Sequence, residues 1–218
     1  MKYFKNFKGA IVILFVAYFS GCSSSEKICS LPECKQKIIN YYESGAFYEE
    51  INKITDKELN DYKNISLKEN DCVVFDIDET ALDNYIHIKN NDFGYDPEKW
   101  KKWVLQAEAP AINGVKRMYD FYIEKGAKIV FITGRKYDEY EATKQNLIKV
   151  GYVKFDTIIT RNLNEKEFTA AEYKSLKRKE LTEKGYNIIL NVGDQYSDLE
   201  GGNSQRQIKL PNYLYYIK

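Results

Sequence analysis

The stretch that most constrains this chain is Val73-Val74-Phe75-Asp76-Ile77-Asp78-Glu79-Thr80. A short apolar run of this kind reads as a buried strand of a parallel sheet. It runs straight into two carboxylates spaced one apart. Such a pair ends a strand better than it continues one, and the carboxyl ends of parallel strands are where open α/β sheets bind ligands. Two carboxylates there are costly to desolvate unless a cation or hydrogen-bond donors compensate them. A polar cap from strand to loop is the simpler alternative for the pair taken alone.

The rest of the chain supports a sheet of this type. Residues 35–66 carry apolar residues near helical spacing and read as two helices broken at Gly45. The first strand spans 71–76. From Pro110 onward, helix and strand patterns alternate. Helices are expected at about 112–125, 137–149 and 170–184, and strands at Lys128–Ile132, Thr157–Thr160 and Asn187–Val192. The turn Thr133-Gly134-Arg135 follows the second strand. This alternation predicts a doubly wound α/β fold with a parallel sheet and helices on both faces. Residues 84–110 interrupt it, with a short helix over Glu98–Gln106 that carries Trp100 and Trp103. An insertion placed directly after the two aspartates is positioned to cover them; a peripheral loop with its two Trp in a minor core is the competing reading. The lysine-rich run from Lys174 to Lys184 reads mostly as the solvated face of a helix.

Each strand of the series ends in polar groups of a particular kind. The first supplies Asp76 and Asp78, the second Thr133, and the last Gly193-Asp194, with Asp198 four residues on. Carboxylates gathered on one rim repel one another unless a hard cation binds. Oxygen ligands without a nearby His or Cys suit Mg²⁺ rather than zinc. The single histidine, His87, falls in the cover.

The amino terminus points to export. Lys2, Lys5 and Lys8 precede an apolar run from Gly9 to Phe19, and Ser20-Gly21-Cys22 follows. This is the layout of a secretory signal, and the run is too short to span a bilayer comfortably. Cys22 followed by three serines resembles a bacterial lipoprotein signal, in which the Cys is lipidated. Residues 1–21 are then a signal peptide, 22–34 a tether and 35–218 the folded domain, held at the cell envelope by a lipid anchor or released outside the membrane. An ordinary signal peptide or an uncleaved anchor is the alternative. Losing three lysines and no acid from 33 basic and 32 acidic residues leaves a net charge of −2, so no nucleic-acid partner is expected. In an oxidising compartment a small disulfide loop between Cys29 and Cys34 is the expectation, ahead of a metal site, for which no partner Cys or His lies nearby, whereas Cys72 reads as a buried core thiol.

Four segments in order resemble the motifs of the haloacid dehalogenase (HAD) superfamily: Asp76-Ile77-Asp78-Glu79-Thr80, Phe131-Ile132-Thr133-Gly134-Arg135, Tyr173-Lys174-Ser175, and Gly193-Asp194-Gln195-Tyr196-Ser197-Asp198. Leu82-Asp83-Asn84, Trp100-Lys101-Lys102-Trp103, Ala107-Glu108-Ala109-Pro110, Lys177-Arg178-Lys179-Glu180-Leu181 and Leu210-Pro211-Asn212 look like its acid phosphatase branch. That branch holds bacterial class C acid phosphatase lipoproteins and plant acid phosphatases with their vegetative storage relatives.

The resemblance implies a hydrolase of small phosphomonoesters. Asp76 is then the nucleophile and Asp78 the acid and base. Mg²⁺ is bound by Asp76, the backbone carbonyl of Asp78, and Asp194. Thr133 and Gly134 bind the phosphoryl oxygens. Lys174, in competition with Lys166, Lys177 and Lys179, neutralises the nucleophile and the transferring group. Asp198 orients Lys174 or holds metal-bound water, unless it only caps a helix. In the class C relatives an aromatic pair grips the base of a nucleoside monophosphate, and its partners match Trp100 and Tyr215; packing in the cover and the tail is the alternative for these two. A storage or ligand-binding relative without catalysis and a phosphorylation-switch receiver domain are the competing functions. The presence of both Asp76 and Asp78 argues against the first, and the cover argues against the second.

Overall fold

A computed structural model describes residues 29–217. The expected signal segment 1–21 and Cys22 lie outside the described residues. Five parallel strands form one sheet in the order β3-β2-β1-β4-β5, built from β1 (Asp71–Phe75), β2 (Lys128–Lys136), β3 (Thr157–Arg161), β4 (Asn187–Gly193) and β5 (Gln207–Lys209). The central strand is the apolar run that ends at Asp76. From it the chain winds outward through β2 and β3, then crosses back to lay β4 on the other side of β1. The strand order reverses at β1, so the carboxyl ends of β1 and β4 flank the switch point where sheets of this type open a crevice.

Alternation along the strands divides the core in two. Val73 and Phe75 of β1, with Ile129 and Phe131 of β2, face a large core shared with α1 (Leu31–Glu43), α2 (Ala46–Asp61), α5 (Asn113–Glu124) and α6 (Tyr140–Lys149). Cys72, Val74, Val130 and Ile132 face a smaller core closed by Tyr173 and Leu181 of α7 (Ala170–Glu183). A register shift against β4 keeps this alternation in step: Cys72 pairs with Ile188 and Val73 with Leu190, so Ile189 is the extra residue. Helices α2 and α5 cross closely at Gly114. A Cβ there would lie 2.8–2.9 Å from Ile51, Asn52 and Thr55, so that approach requires glycine.

Several elements differ from the sequence expectations. Helix α1 begins at Leu31, so residues 31–34 of the expected tether are helical. Pro32 sits in its first turn, and the Glu33 carboxylate accepts from the Ser30 amide at 2.9 Å. The cysteines agree with the expectation: Cys29 and Cys34 are joined by a disulfide across this helix start, and Cys72 is buried and free, its thiol pushed up to about 12 by burial. Strand β2 does not turn at Thr133 but runs on to Lys136, with a register shift against β3 after Ile132. The cover holds a further helix, α3 (Tyr85–Asn90), before α4 (Pro97–Gln106). Asp96 caps α4 by accepting from the amides of Glu98 and Lys99. Strand β5 was not expected, and the short helix α8 (Tyr196–Leu199) was foreshadowed only by Asp198 as a helix-capping residue.

Candidate active site

Asp76 directly follows β1, its amide donating to the Val192 carbonyl of β4 at 2.9 Å. This extra rung fixes the Asp76 carboxylate at the switch point, where it is buried. From the side of the smaller core α7 delivers Lys174. Its ammonium donates to Asp76 and, at 2.5 Å, to Asp198 Oδ1. The other candidate lysines are elsewhere: Lys177 pairs with Glu165 at 2.6 Å, Lys179 lies 3.8 Å from Glu183, and Lys166 is exposed. The α7 run is therefore not simply a solvated face. Lys174, Lys177 and Arg178 are all buried.

Asp198 belongs to α8, and its two oxygens do different work. Oδ2 accepts from the Gln195 amide at 2.8 Å and so caps the helix, while Oδ1 holds Lys174. The Asp198 backbone carbonyl is gripped by Arg178 Nη1 at 2.6 Å and by Asn191 Nδ2 at 2.9 Å. A Cβ on Gly193 would overlap the Asp198 side chain, so glycine at the end of β4 is what lets α8 fold back this tightly. Asp194 is held as firmly. Its Oδ2 accepts from Gln195 Nε2 and Asn212 Nδ2, each at 2.7 Å, and its Oδ1 from Thr80 Oγ1 at 3.2 Å.

Asp76, Asp194 and Asp198 place one oxygen each within 4.8 Å of the others, all three buried. One ammonium faces these three carboxylates, so two negative charges are left over if all ionise. The electrostatics register this excess. Burial raises Asp76 well above the usual carboxylate range; Lys174 opposes this, and Asp198, Asp194 and Asp78 add to it. Burial, then the charges of Asp198 and Glu79, push Asp194 up to about 7. Burial alone would lower the Lys174 ammonium, but Asp198 and Asp76 outweigh it and hold its pKa above the ordinary value. A buried, all-oxygen cluster short of positive charge fits a hard divalent cation.

Asp78 stands slightly apart. It is the one residue from 71 to 85 that is not buried. Its carboxylate is clasped by Arg135, whose Nη2 lies 2.7 Å and Nε 3.1 Å from Oδ1. Asn84 Nδ2 also reaches that oxygen at 3.0 Å, and Asn84 in turn accepts from Trp103 Nε1 at 2.7 Å. Glu79, at positive φ (56°), is buried, takes the Asn84 amide at 2.9 Å and the Tyr215 hydroxyl, and is pushed up to about 8 by burial and the charge of Asp78.

Thr133 is buried in β2, its Oγ1 accepting from the Arg135 amide at 3.1 Å, and Gly134 beside it is exposed. Trp100 is half-buried, edge-on to His87 with ring centroids 5.7 Å apart, and lies under the Arg135 guanidinium at 5.9 Å. His87 stacks on Trp103 within the cover. Tyr215 is partly buried, and its hydroxyl is committed to Glu79. Trp100 and Tyr215 thus attach to different residues beside the acidic centre, Trp100 to Arg135 and Tyr215 to Glu79. Sequence reasoning left Arg135, Arg178, Asn191, Gln195 and Asn212 without roles. The only signal for them was their place inside or beside the motif segments.

Residues 27–218 match the model of a family described as HAD superfamily, subfamily IIIB (acid phosphatase). Acid phosphatase 1 of Solanum lycopersicum is 32% identical over 191 residues, which cover 85% of this chain and 75% of that protein. Vegetative storage protein 1 of Arabidopsis thaliana is 33% identical over 192 residues, covering 84% and 70%. Among solved structures, a class C acid phosphatase from Bacillus anthracis superposes with a TM-score of 0.65 at 25% identity, covering 84% of this chain and 86% of that one. A second structure of that class C enzyme, with tungstate bound, matches at 26% identity and the same TM-score.

Proposed function

The chain belongs to the acid phosphatases of HAD subfamily IIIB, a family of phosphatase hydrolases, and from that premise we propose that it hydrolyses small phosphomonoesters through a phosphorylated Asp76. The observation that carries this reading is the pairing of Asp76 with the buried Lys174 and Asp198 at the switch point. An Asp76 oxygen attacks phosphorus as the bond to the leaving oxygen breaks, and Asp78 gives that oxygen its proton. In the second step Asp78 takes a proton from water as the water oxygen attacks phosphorus, which releases inorganic phosphate and restores Asp76. Lys174 keeps positive charge beside the nucleophile and the transferring group throughout. Thr133 and the exposed backbone of Gly134 are the phosphate-binding groups on the β2 side. Asp76, Asp194 and the Asp78 backbone carbonyl would hold Mg²⁺, which when bound would supply charge neutralisation for the phosphoryl group, and Asp198 acts by holding Lys174. Hydrolysis of p-nitrophenyl phosphate is expected with Mg²⁺, with loss in EDTA and recovery on adding Mg²⁺ back. The names of the storage relatives favour a second, non-catalytic reading, and no phosphate release under any of these conditions would overturn the catalytic one.

The leaving group is bounded by Trp100 and Tyr215, and stacking between two rings suits the base of a nucleoside monophosphate, at about 1–3 kcal/mol per stack. Trp100→Ala is therefore expected to raise KM for 5′-AMP by about tenfold or more, and KM for p-nitrophenyl phosphate much less. Equal changes for both substrates remove the nucleotide preference and leave a general phosphomonoesterase.

We further propose export and lipidation at Cys22. No helix among the described residues is long and apolar enough to cross a membrane. The native protein should incorporate a labelled fatty acid and sediment with membranes, and Cys22→Ser should do neither. A mature amino terminus other than residue 22 refutes the anchor without touching the catalysis.

A further inference from the structure

Asp78 has four donor contacts, and they are unevenly shared between its oxygens. Oδ1 takes Arg135 Nη2 at 2.7 Å, Arg135 Nε at 3.1 Å and Asn84 Nδ2 at 3.0 Å. Oδ2 has a single long contact, 3.2 Å to Arg135 Nε. Oδ1 is thus saturated by donors that keep an acceptor whether or not the carboxyl is protonated, since the carbonyl oxygen of an acid still accepts, though more weakly than a carboxylate oxygen. A proton placed on Oδ1 would have to displace one of them; a proton on Oδ2 displaces nothing short.

The donors are themselves fixed. Arg135 is buried and its third nitrogen, Nη1, donates to Thr143 Oγ1 of α6 at 3.2 Å. Asn84 is buried, and its amide oxygen accepts from Trp103 Nε1 of α4, which settles which way the amide points. Trp100, one turn earlier on α4, lies under the same guanidinium.

Building on the reaction proposed above, we infer that Arg135, Asn84 and Trp103 form a positioning relay that presents Asp78 Oδ2 as the atom exchanging the proton with the leaving oxygen, and that the relay ties this atom to the cover. Arg135 and Trp103 are positioning residues, acting on the substrate through Asp78. Bond changes are those already given. The proton leaves Asp78 Oδ2 for the departing oxygen as the phosphorus–oxygen bond breaks, and Oδ1 keeps its three donors throughout.

The relay makes a prediction that neither phosphate binding nor folding makes. A p-nitrophenolate departs without a proton, whereas an alkoxide requires one. Arg135→Lys keeps the charge but lacks the planar fork that reaches one oxygen twice. Trp103→Phe keeps the ring in the cover and removes only the donor to Asn84. For each variant, kcat/KM is measured on p-nitrophenyl phosphate and on glycerol 2-phosphate, because this ratio reports the step in which the leaving group departs. General acid help is typically worth about 10²–10⁴-fold, so a misaimed acid gives up part of that range. Arg135→Lys is expected to lose at least about tenfold more on the alkyl ester than on the aryl ester. Trp103→Phe is expected to lose in the same direction by about threefold, a change that does not depend on a buried cation. Equal losses on both esters in both variants overturn the relay, while wild-type turnover of both esters, absent in Asp76→Asn, shows that the underlying reaction stands. Wild-type protein inactive on both would overturn the reaction and the relay together.

Discussion

Asp76→Asn protein is expected to lose at least about 10⁴-fold in kcat/KM on p-nitrophenyl phosphate while keeping its fold. An amide of the same shape cannot attack phosphorus, and groups acting on a missing nucleophile rescue little. Stability should scarcely change. Burial holds the Asp76 carboxyl well above its usual range, with Asp198, Asp194 and Asp78 adding to the effect, so removing its charge relieves repulsion as well as breaking an ion pair. Lys174 retains Asp198 at 2.5 Å. The melting temperature in EDTA should stay within about 4 °C of wild type, equivalent to about 1 kcal/mol for a domain of this size. Turnover within tenfold of wild type, from protein free of wild-type contamination, would sink the covalent route.

Lys174→Met should do the opposite to stability. The lysine is the one ammonium among the described residues that pairs with Asp76 and Asp198. Without it three carboxylates share a buried centre with no cation. Breaking a buried pair on one side typically costs about 3–5 kcal/mol, which at about 2–4 °C per kcal/mol corresponds to a fall of about 6–20 °C in Tm, measured in EDTA. Activity should fall with it. If Asp76 and Asp194 hold a divalent cation, saturating Mg²⁺ should recover part of the loss, since a ligand at 100 times its Kd adds about 2.7 kcal/mol. A Tm unchanged in EDTA would mean that Lys174 does not balance this centre.

How far the sequence disclosed this arrangement depended on what kind of signal each part leaves. The apolar run into Asp76 and Asp78, and the run into Asp194, were readable because a strand buried on both faces leaves an unbroken hydrophobic string with a polar end. The parallel sheet followed from the alternation. Lys174 was harder. The buried face of α7 carries Lys174, Lys177 and Arg178 beside Tyr173 and Leu181, so hydrophobic periodicity points the wrong way, and only the motif resemblance singled the lysine out.

Other parts left almost no local trace. Strand β5 is three residues, Gln207–Lys209, none of them fully buried. Its place is set by pairing with Asn191, Val192 and Gly193. The start of α1 was legible in Ser30-Leu31-Pro32-Glu33, a capping signal that the cysteine pair around it obscured. Arg135 was legible only as part of a turn and of a motif segment, without a role, because β2 runs through the expected turn and buries the guanidinium. No spacing rule predicts that a strand will continue past a Thr-Gly pair in order to bring an arginine to an acid 57 residues away.

The pairing of β1 with β4 also governs how the molecule comes to exist. Asp71 and Asn187 meet across 116 residues of chain, whereas β2 and β3 pair across a much shorter loop. Closing a longer loop costs more chain entropy, and long-range parallel pairing is slow for that reason. The acid centre sits on that distant seam and draws on Asp76, Lys174, Asp194 and Asp198 together. It has no half-built form: a chain that has folded β1, β2 and β3 holds Asp76 without Lys174, Asp194 or Asp198 beside it.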